Sequence, residues 1–237
     1  MRTFASALQA RRAGVLWLLA TVTGGWALTY IRGHLYVPGD AAATAGAILA
    51  NTTTFRWAIT AALLSQLALL FLALELYRVF APMQRALARV LLVSMLLSVT
   101  LAVANQLPNL VALVLLGPEP YLQTFTEAQR EAMVLVLLRV QNGPGQALLE
   151  IFWSTYYVAL GLLVLRTQAL PRVLGMLLIA MGGGFAVNIL QKFLVPTFQP
   201  ALFTMLAMGL GALGGIPTML WLLIRGLVVP VRPEPAE

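Results

Sequence analysis

The sequence predicts an all-α integral membrane protein: a bundle of six transmembrane helices with both termini in the cytoplasm. Three observations predict it. The chain is 60% hydrophobic and only 10% charged, with a mean hydropathy of +0.89, whereas an average soluble domain is about 25% charged. Six apolar stretches approach or exceed the roughly 20 residues that cross a bilayer. The basic residues also gather at alternate ends of those stretches, as they do when they set topology.

The predicted spans are Ala13–Ile31, Trp57–Tyr77, Leu87–Leu116, Gln146–Leu165, Val173–Leu194 and Ala201–Ile224. The first follows Met1–Arg12, which looks like the start of a signal peptide. Its apolar run exceeds the usual 7–15 residues of a cleaved signal, so an uncleaved first span is expected. The third span is longer than crossing requires and contains Pro108, which predicts a kink or tilt. No polar run is long enough to fold separately, so residues 1–237 read as a single transmembrane domain.

With the N-terminus inside, one side of the membrane holds Arg2, Arg11, Arg12, Arg78, Arg85, Arg89, Arg166, Arg172, Arg225 and Arg232. The other holds Arg32, Arg56, Arg130, Arg139 and Lys192. Ten basic residues against five put both termini in the cytoplasm. Asp40, Glu119, Glu127 and Glu131 all fall on the outer side. The localisation that follows is a cell membrane, the inner membrane in a bacterial cell.

Two outer loops are long. In the first, Pro38-Gly39-Asp40 is a turn and Ala42–Asn51 reads as a short helix lying on the membrane. In the second, Gly117-Pro118-Glu119-Pro120 stops the third span. Thr124 and Glu127 have the spacing of a capping box, predicting an outer amphipathic or interfacial helix over about Phe125–Val140. Gly143-Pro144-Gly145 is expected to end that helix and let the fourth span start afresh.

The net charge of +7 does not point to nucleic acid, because no basic stretch carries interleaved aromatics. The lipid bilayer is the expected partner of these charges. The absence of cysteine removes disulfides, thiolate metal sites and thiol catalysis. A lone histidine, His34, builds neither a zinc site nor a triad. No catalytic residue, metal site or cofactor is assigned.

Charges inside spans are costly and need a partner and a reason. Glu75 precedes Arg78 by three residues, a spacing that places both on one helix face. An ion pair is expected there, with Arg172 as a further candidate. Glu150 is the deeper acid. Its candidate partners at similar depth are Asn105, Gln106 and Asn109 on the third span and Asn188, Gln191 and Lys192 on the fifth. Arg56 and Arg139 are candidates from the outer side. These residues read either as a polar ligand pocket open to the outer face or as interhelical hydrogen bonds holding the bundle. Gly182-Gly183-Gly184 and the Gly211/Gly215 pair read as faces for close helix packing or for a homodimer. Gly214-Gly215-Ile216-Pro217 reads as a point where the sixth span unwinds.

Several short segments carry a family likeness. Leu162–Gly175, reading LLVLRTQALPRVLG, has a span ending in arginine, a short turn, Pro171-Arg172 and Leu174-Gly175. Together with Arg12–Leu19 and Leu76-Tyr77-Arg78, it resembles the bacterial membrane proteins called the domain of unknown function 4386 family. The resemblance runs from about Arg11 to Leu194 and departs at Gln141–Gly145. It implies a multi-helix membrane fold and transfers no activity.

Two functions from different classes stand open. The first is a non-enzymatic membrane protein that binds a small ligand or protein partner through the polar cluster. The second is a small secondary transporter, proton-coupled through Glu150. An inner-turn echo between residues 86–91 and 169–174 fits a transporter repeat, and it also fits chance in a chain rich in Leu and Ala. A membrane-embedded enzyme ranks third.

Overall fold

A computed structural model describes the backbone of residues 4–195 and 201–227, and the side chains of residues 8–195 and 213–227. The regular elements among the described residues are all helical. Their order is α1 (Phe4–Tyr30), a π-helical turn (Ile31–Leu35), α2 (Ala41–Ala50), α3 (Thr52–Phe80), α4 (Arg85–Ala104) and α5 (Leu107–Leu115). A 3₁₀ turn (Pro120–Thr124), α6 (Glu127–Val140), a second π turn (Gln141–Gly145), α7 (Gln146–Thr167), α8 (Arg172–Leu194) and α9 (Ala201–Ile224) follow.

Five helical stretches among the described residues are long and apolar enough to cross a membrane: Leu8–Leu35, Thr52–Phe80, Arg85–Leu115, Glu127–Thr167 and Arg172–Leu194. Their outward faces are apolar. Val15, Trp57, Leu67, Phe71, Val93, Val173 and Leu190 are all more than half exposed. Soluble monomers rarely leave large contiguous apolar patches uncovered. This is a helical architecture consistent with a membrane protein.

The chain divides into two compact units. The first comprises Met1–Leu18, Ala68–Ser98 and Glu150–Glu237; the second comprises Leu19–Leu67 and Val99–Leu149.

The second unit has its own core, formed by Ile31, Leu35, Ile48, Phe55, Ala58, Ala112, Val134 and Leu138. A ten-residue helix such as α2 is marginal alone. Here Asp40 caps it by accepting from the Ala43 N–H at 2.9 Å, and Ile48 anchors it in the core. The short loop helix expected near Ala42–Asn51 is therefore present, packed on α6. Close to α3, a Cβ on Gly24 would lie 2.5 Å from Ser65 Oγ, and that hydroxyl donates to the Ala20 carbonyl.

The long third span is interrupted. Asn105 and Gln106 form a turn between α4 and α5, and Pro108 sits in the first turn of α5, where its missing N–H leaves no bond unmade.

Three local expectations are corrected. The capping box is built by Thr126 and Gln129, not by Thr124 and Glu127. Thr124 is committed to the 3₁₀ turn, where its hydroxyl donates to the Tyr121 carbonyl, and Thr126 has the extended backbone of a cap. Gly143-Pro144-Gly145 does not end the outer helix. The chain passes through it as a π turn, giving one helical stretch of 41 residues from Glu127 to Thr167. The Gln146 N–H reaches back to the Gln141 carbonyl. Two side-chain amides serve this turn, Asn142 donating to the Leu138 carbonyl and Asn105 to the Gln141 carbonyl. Finally, α9 runs helically through Gly214–Pro217. The Thr218 hydroxyl donates to the Gly214 carbonyl at 2.7 Å, an i−4 back-bond in the turn that contains Pro217.

In the first unit, α7 and α8 meet through small residues. A Cβ on Gly161 would lie 2.6 Å from the Gly175 carbonyl oxygen, and one on Gly182 would lie 2.8 Å from the Ser154 carbonyl oxygen. Gly183 faces open space, so the glycine triplet does not act as one packing face. The packing of Gly211, the other half of the sixth-span pair, lies outside the described residues.

Candidate functional site

Within the first unit, the facing surfaces of α7 and α8 carry the buried charge. On α7, Glu150, Trp153, Ser154 and Tyr157 follow the i, i+3, i+4, i+7 spacing of one helix face. From α8, Gly182 meets Ser154, Phe185 meets Trp153 and Tyr157, and Asn188 and Lys192 meet Glu150.

Glu150 is 5% exposed. Asn188 Nδ2 donates to its Oε2 at 2.5 Å, and Lys192 Nζ donates to its Oε1 at 3.0 Å. Both carboxylate oxygens are thus engaged, and the Glu150–Lys192 pair is electrically neutral. The two partners differ in exposure, with the Lys192 side chain 28% exposed and that of Glu150 only 7%. A lysine ammonium has three N–H donors, so the one bonded to Glu150 leaves donor capacity on the more open side.

The residues next to this pair are aromatic. Trp153 and Phe185 pack edge to face with centroids 5.6 Å apart, and Phe185 stacks on Tyr157 at 5.8 Å. Tyr157 also lies 6.4 Å from Trp17 on α1. The site therefore combines one carboxylate, one ammonium, one amide and an aromatic wall. It can hold a polar group by hydrogen bonds and an apolar group against the rings.

The second unit holds a separate hydrogen-bonded set. Asn109 Nδ2 donates to Gln106 Oε1 at 2.9 Å, and Asn105 Nδ2 donates to the Gln141 carbonyl at 3.2 Å. Arg32 Nε in the first π turn donates to Asn142 Oδ1 in the second, also at 2.9 Å. Asn109 Oδ1 and Gln141 Oε1 are buried without a donor among the described residues.

Of the sequence candidates, Glu150, Asn188 and Lys192 come together on α7 and α8, with Gln191 half-buried on the same helix. Asn105, Gln106 and Asn109 come together at the α4–α5 break. Arg56 and Arg139 stand on exposed faces of α3 and α6. Sequence reasoning missed Arg32, Gln141 and Asn142 as site members. The available signal was a Gln-Asn pair abutting Gly-Pro-Gly inside an otherwise apolar stretch.

Glu75 and Arg78 form an ion pair at 2.9 Å, with the Arg78 side chain 63% exposed. Exposed pairs at helical spacing contribute about 0.3–0.5 kcal/mol. Glu75→Gln is expected to change stability in detergent by less than about 1 kcal/mol. Arg172, the other candidate partner, is exposed at the start of α8. His34 stacks on Tyr30 at 5.2 Å, and no group of metal-ligating side chains occurs among the described residues.

No curated protein and no solved structure matches this chain. The family model described as "Domain of unknown function (DUF4386)" matches residues 12–226. The chain therefore belongs to the domain of unknown function 4386 family, a family whose own description assigns no activity.

Proposed function

We propose that this chain is a six-span membrane protein with both termini in the cytoplasm, and that it binds a small polar ligand through Lys192, Glu150 and Asn188. The observation that carries the reading is the Glu150–Lys192 ion pair on α7 and α8. An ion pair in an apolar helix bundle is a poor source of stability, since well-packed hydrophobic replacements are often as good or better. Ionisable residues within spans generally mark a binding or transport path. Here the ammonium keeps donors on its open side, which suits a carboxylate, a phosphate or a hydroxyl-bearing ligand.

The α9 helix of 24 residues supplies the length for a sixth span, and the ten-to-five basic asymmetry supports the orientation. A reporter fused at Met83 is expected to read cytoplasmic and one fused at Gly117 to read external. The reverse pattern would overturn the topology.

Binding is tested on the purified chain by tryptophan fluorescence. Trp153 lies one helical turn from Glu150 and against Phe185, so it reports on the site. Titration with a panel of amino acids, short carboxylates and sugars is expected to give a saturable change for at least one compound. Lys192→Met is expected to remove that change. Identical titrations for the two proteins would contradict the reading.

One observation favours a second reading, that of a transporter. The α4–α5 break at Asn105-Gln106 interrupts an otherwise long helix, as discontinuous spans do at transporter sites, and a π turn is inserted within the Glu127–Thr167 helix. In that case Glu150 exchanges a proton as substrate moves, and Glu150→Gln abolishes pH-dependent uptake in proteoliposomes while leaving ligand binding measurable. Binding without uptake in the wild type would leave the first reading standing alone.

A further inference from the structure

The first unit carries another unsatisfied feature, at the end where α1 begins and α9 finishes. A Cβ on Gly14 would lie 2.8 Å from the Leu223 backbone nitrogen, so α1 and α9 touch backbone to backbone there. Further along, Trp17 Cζ2 lies 3.8 Å from the Cβ position of Gly215. Moving forward on α1 thus moves backward on α9, and the helices are antiparallel. Arg11 and Arg12, which precede Gly14, therefore lie toward the same end as Arg225, which follows Leu223. All three arginines are exposed.

The Arg225 guanidinium lies 5.9 Å from the Trp221 ring centroid. The indole Nε1 of Trp221 is shielded from solvent and has no acceptor among the described residues. An unsatisfied N–H held away from water is costly and calls for an acceptor. Beside these donors the two helices are apolar and open, with Val15 55%, Leu220 43% and Ile224 67% exposed. The combination is cationic and donor-rich at the helix ends and greasy immediately alongside.

We propose that this end of α1 and α9 is a binding site for an anionic glycerophospholipid. Guanidinium groups match phosphate oxygens in a forked, charge-assisted geometry. A small rotation of the Trp221 ring brings its N–H, shielded in this conformation, to a phosphate or ester carbonyl oxygen, the position that tryptophan takes at membrane interfaces. The acyl chains lie along Val15, Leu220 and Ile224. Free phosphate satisfies the arginines but leaves that apolar surface uncovered, so the occupant is the lipid. The site is independent of Glu150 and Lys192, and it requires no particular ligand there.

The test uses the full chain in detergent, titrated with phosphatidylglycerol or with phosphatidylcholine of the same acyl chains, with bound lipid counted by native mass spectrometry. Phosphatidylglycerol is expected to stay bound where phosphatidylcholine dissociates. Arg225→Gln is expected to weaken phosphatidylglycerol binding by about tenfold, the loss of one charge-assisted contact. Trp221→Phe keeps the ring and removes the donor, and it is expected to weaken binding several-fold. Trp26→Phe, at an exposed tryptophan of the second unit, is expected to bind as the wild type does. Saturating inorganic phosphate is expected not to displace the lipid. Equal retention of the two lipids, wild-type binding by Arg225→Gln, or full displacement by inorganic phosphate would each overturn the proposal. Because Arg225 is exposed, its variant remains decisive even if Trp221→Phe fails to fold.

Discussion

Replacing Glu150 by Leu is expected to destabilise the protein by about 3 kcal/mol, and replacing Lys192 by Leu in the same chain is expected to restore most of that loss. The sign of the coupling follows from burial. Glu150 is 5% exposed and its two oxygens take one hydrogen bond each from Asn188 and Lys192. Removing the carboxylate leaves an ammonium without its counter-charge and an amide without its acceptor. The cost falls at the lower end of the usual 3–5 kcal/mol for a broken buried pair, because the Lys192 side chain is 28% exposed. Removing both charges takes away the desolvation cost along with the attraction. Reversible unfolding of the single and double variants in mixed micelles measures the coupling directly. Simple additivity of the two single effects would show that the pair is not coupled as its geometry requires.

Gly161→Leu is expected to be at least as damaging, and no substitution at Glu150 or Lys192 is expected to rescue it. A Cβ at this position would already lie 2.6 Å from the Gly175 carbonyl oxygen and 2.7 Å from Ile179 Cγ1. The first of these is backbone and cannot rotate aside, so α7 and α8 must separate. Overpacking of this kind costs about 1–3 kcal/mol or more in well-packed cores. In a membrane the loss is sharper in kind, because close van der Waals packing through small residues is a main source of helix association. Separation also pulls Lys192 and Asn188 away from Glu150, so the variant loses packing and hydrogen bonds together. Gly183→Leu is the matched control, because that position faces open space and is expected to be nearly neutral.

Much of the architecture was legible in the chain. Long apolar runs at low charge density announce membrane-length helices, and Pro108 announces an interruption that the structure places two to three residues earlier, at Asn105-Gln106. The alanine-rich run after the Pro38-Gly39-Asp40 turn announces α2, although reading Asp40 only as part of the turn misses its role as the cap. The spacing of Glu75 and Arg78 announces a pair on one face. The misreadings have a common cause. Gly143-Pro144-Gly145 carries three residues unfavourable in an α-helix, and local propensity therefore reads it as a stop. The structure instead carries the helix through as a π turn, with amide donors from Asn142 and from the distant Asn105. No local pattern reveals a donor 36 residues away. The capping box shifted for a similar reason: two threonines compete, and the preceding Pro120 turn decides between them.

The candidate site was legible in part. Glu150 stood out because a carboxylate in an apolar span demands a partner, and Asn188 and Lys192 were within the set named from depth. Depth along the membrane does not fix rotation about the helix axis, so the sequence could not separate Glu150's actual partners from Asn105, Gln106 and Asn109. Asn105 instead donates to the Gln141 carbonyl and Asn109 to Gln106, with Asn109 Oδ1 left without a donor among the described residues.

The central claim is that the charged pair on α7 and α8 binds a ligand rather than only joining two helices. The most direct measurement is ligand-induced thermal stabilisation of the double variant Glu150→Leu/Lys192→Leu, compared with the wild type at the same unliganded stability. A compound that raises the wild-type melting temperature is expected to leave the double variant unmoved. An equal rise in both proteins would contradict the account.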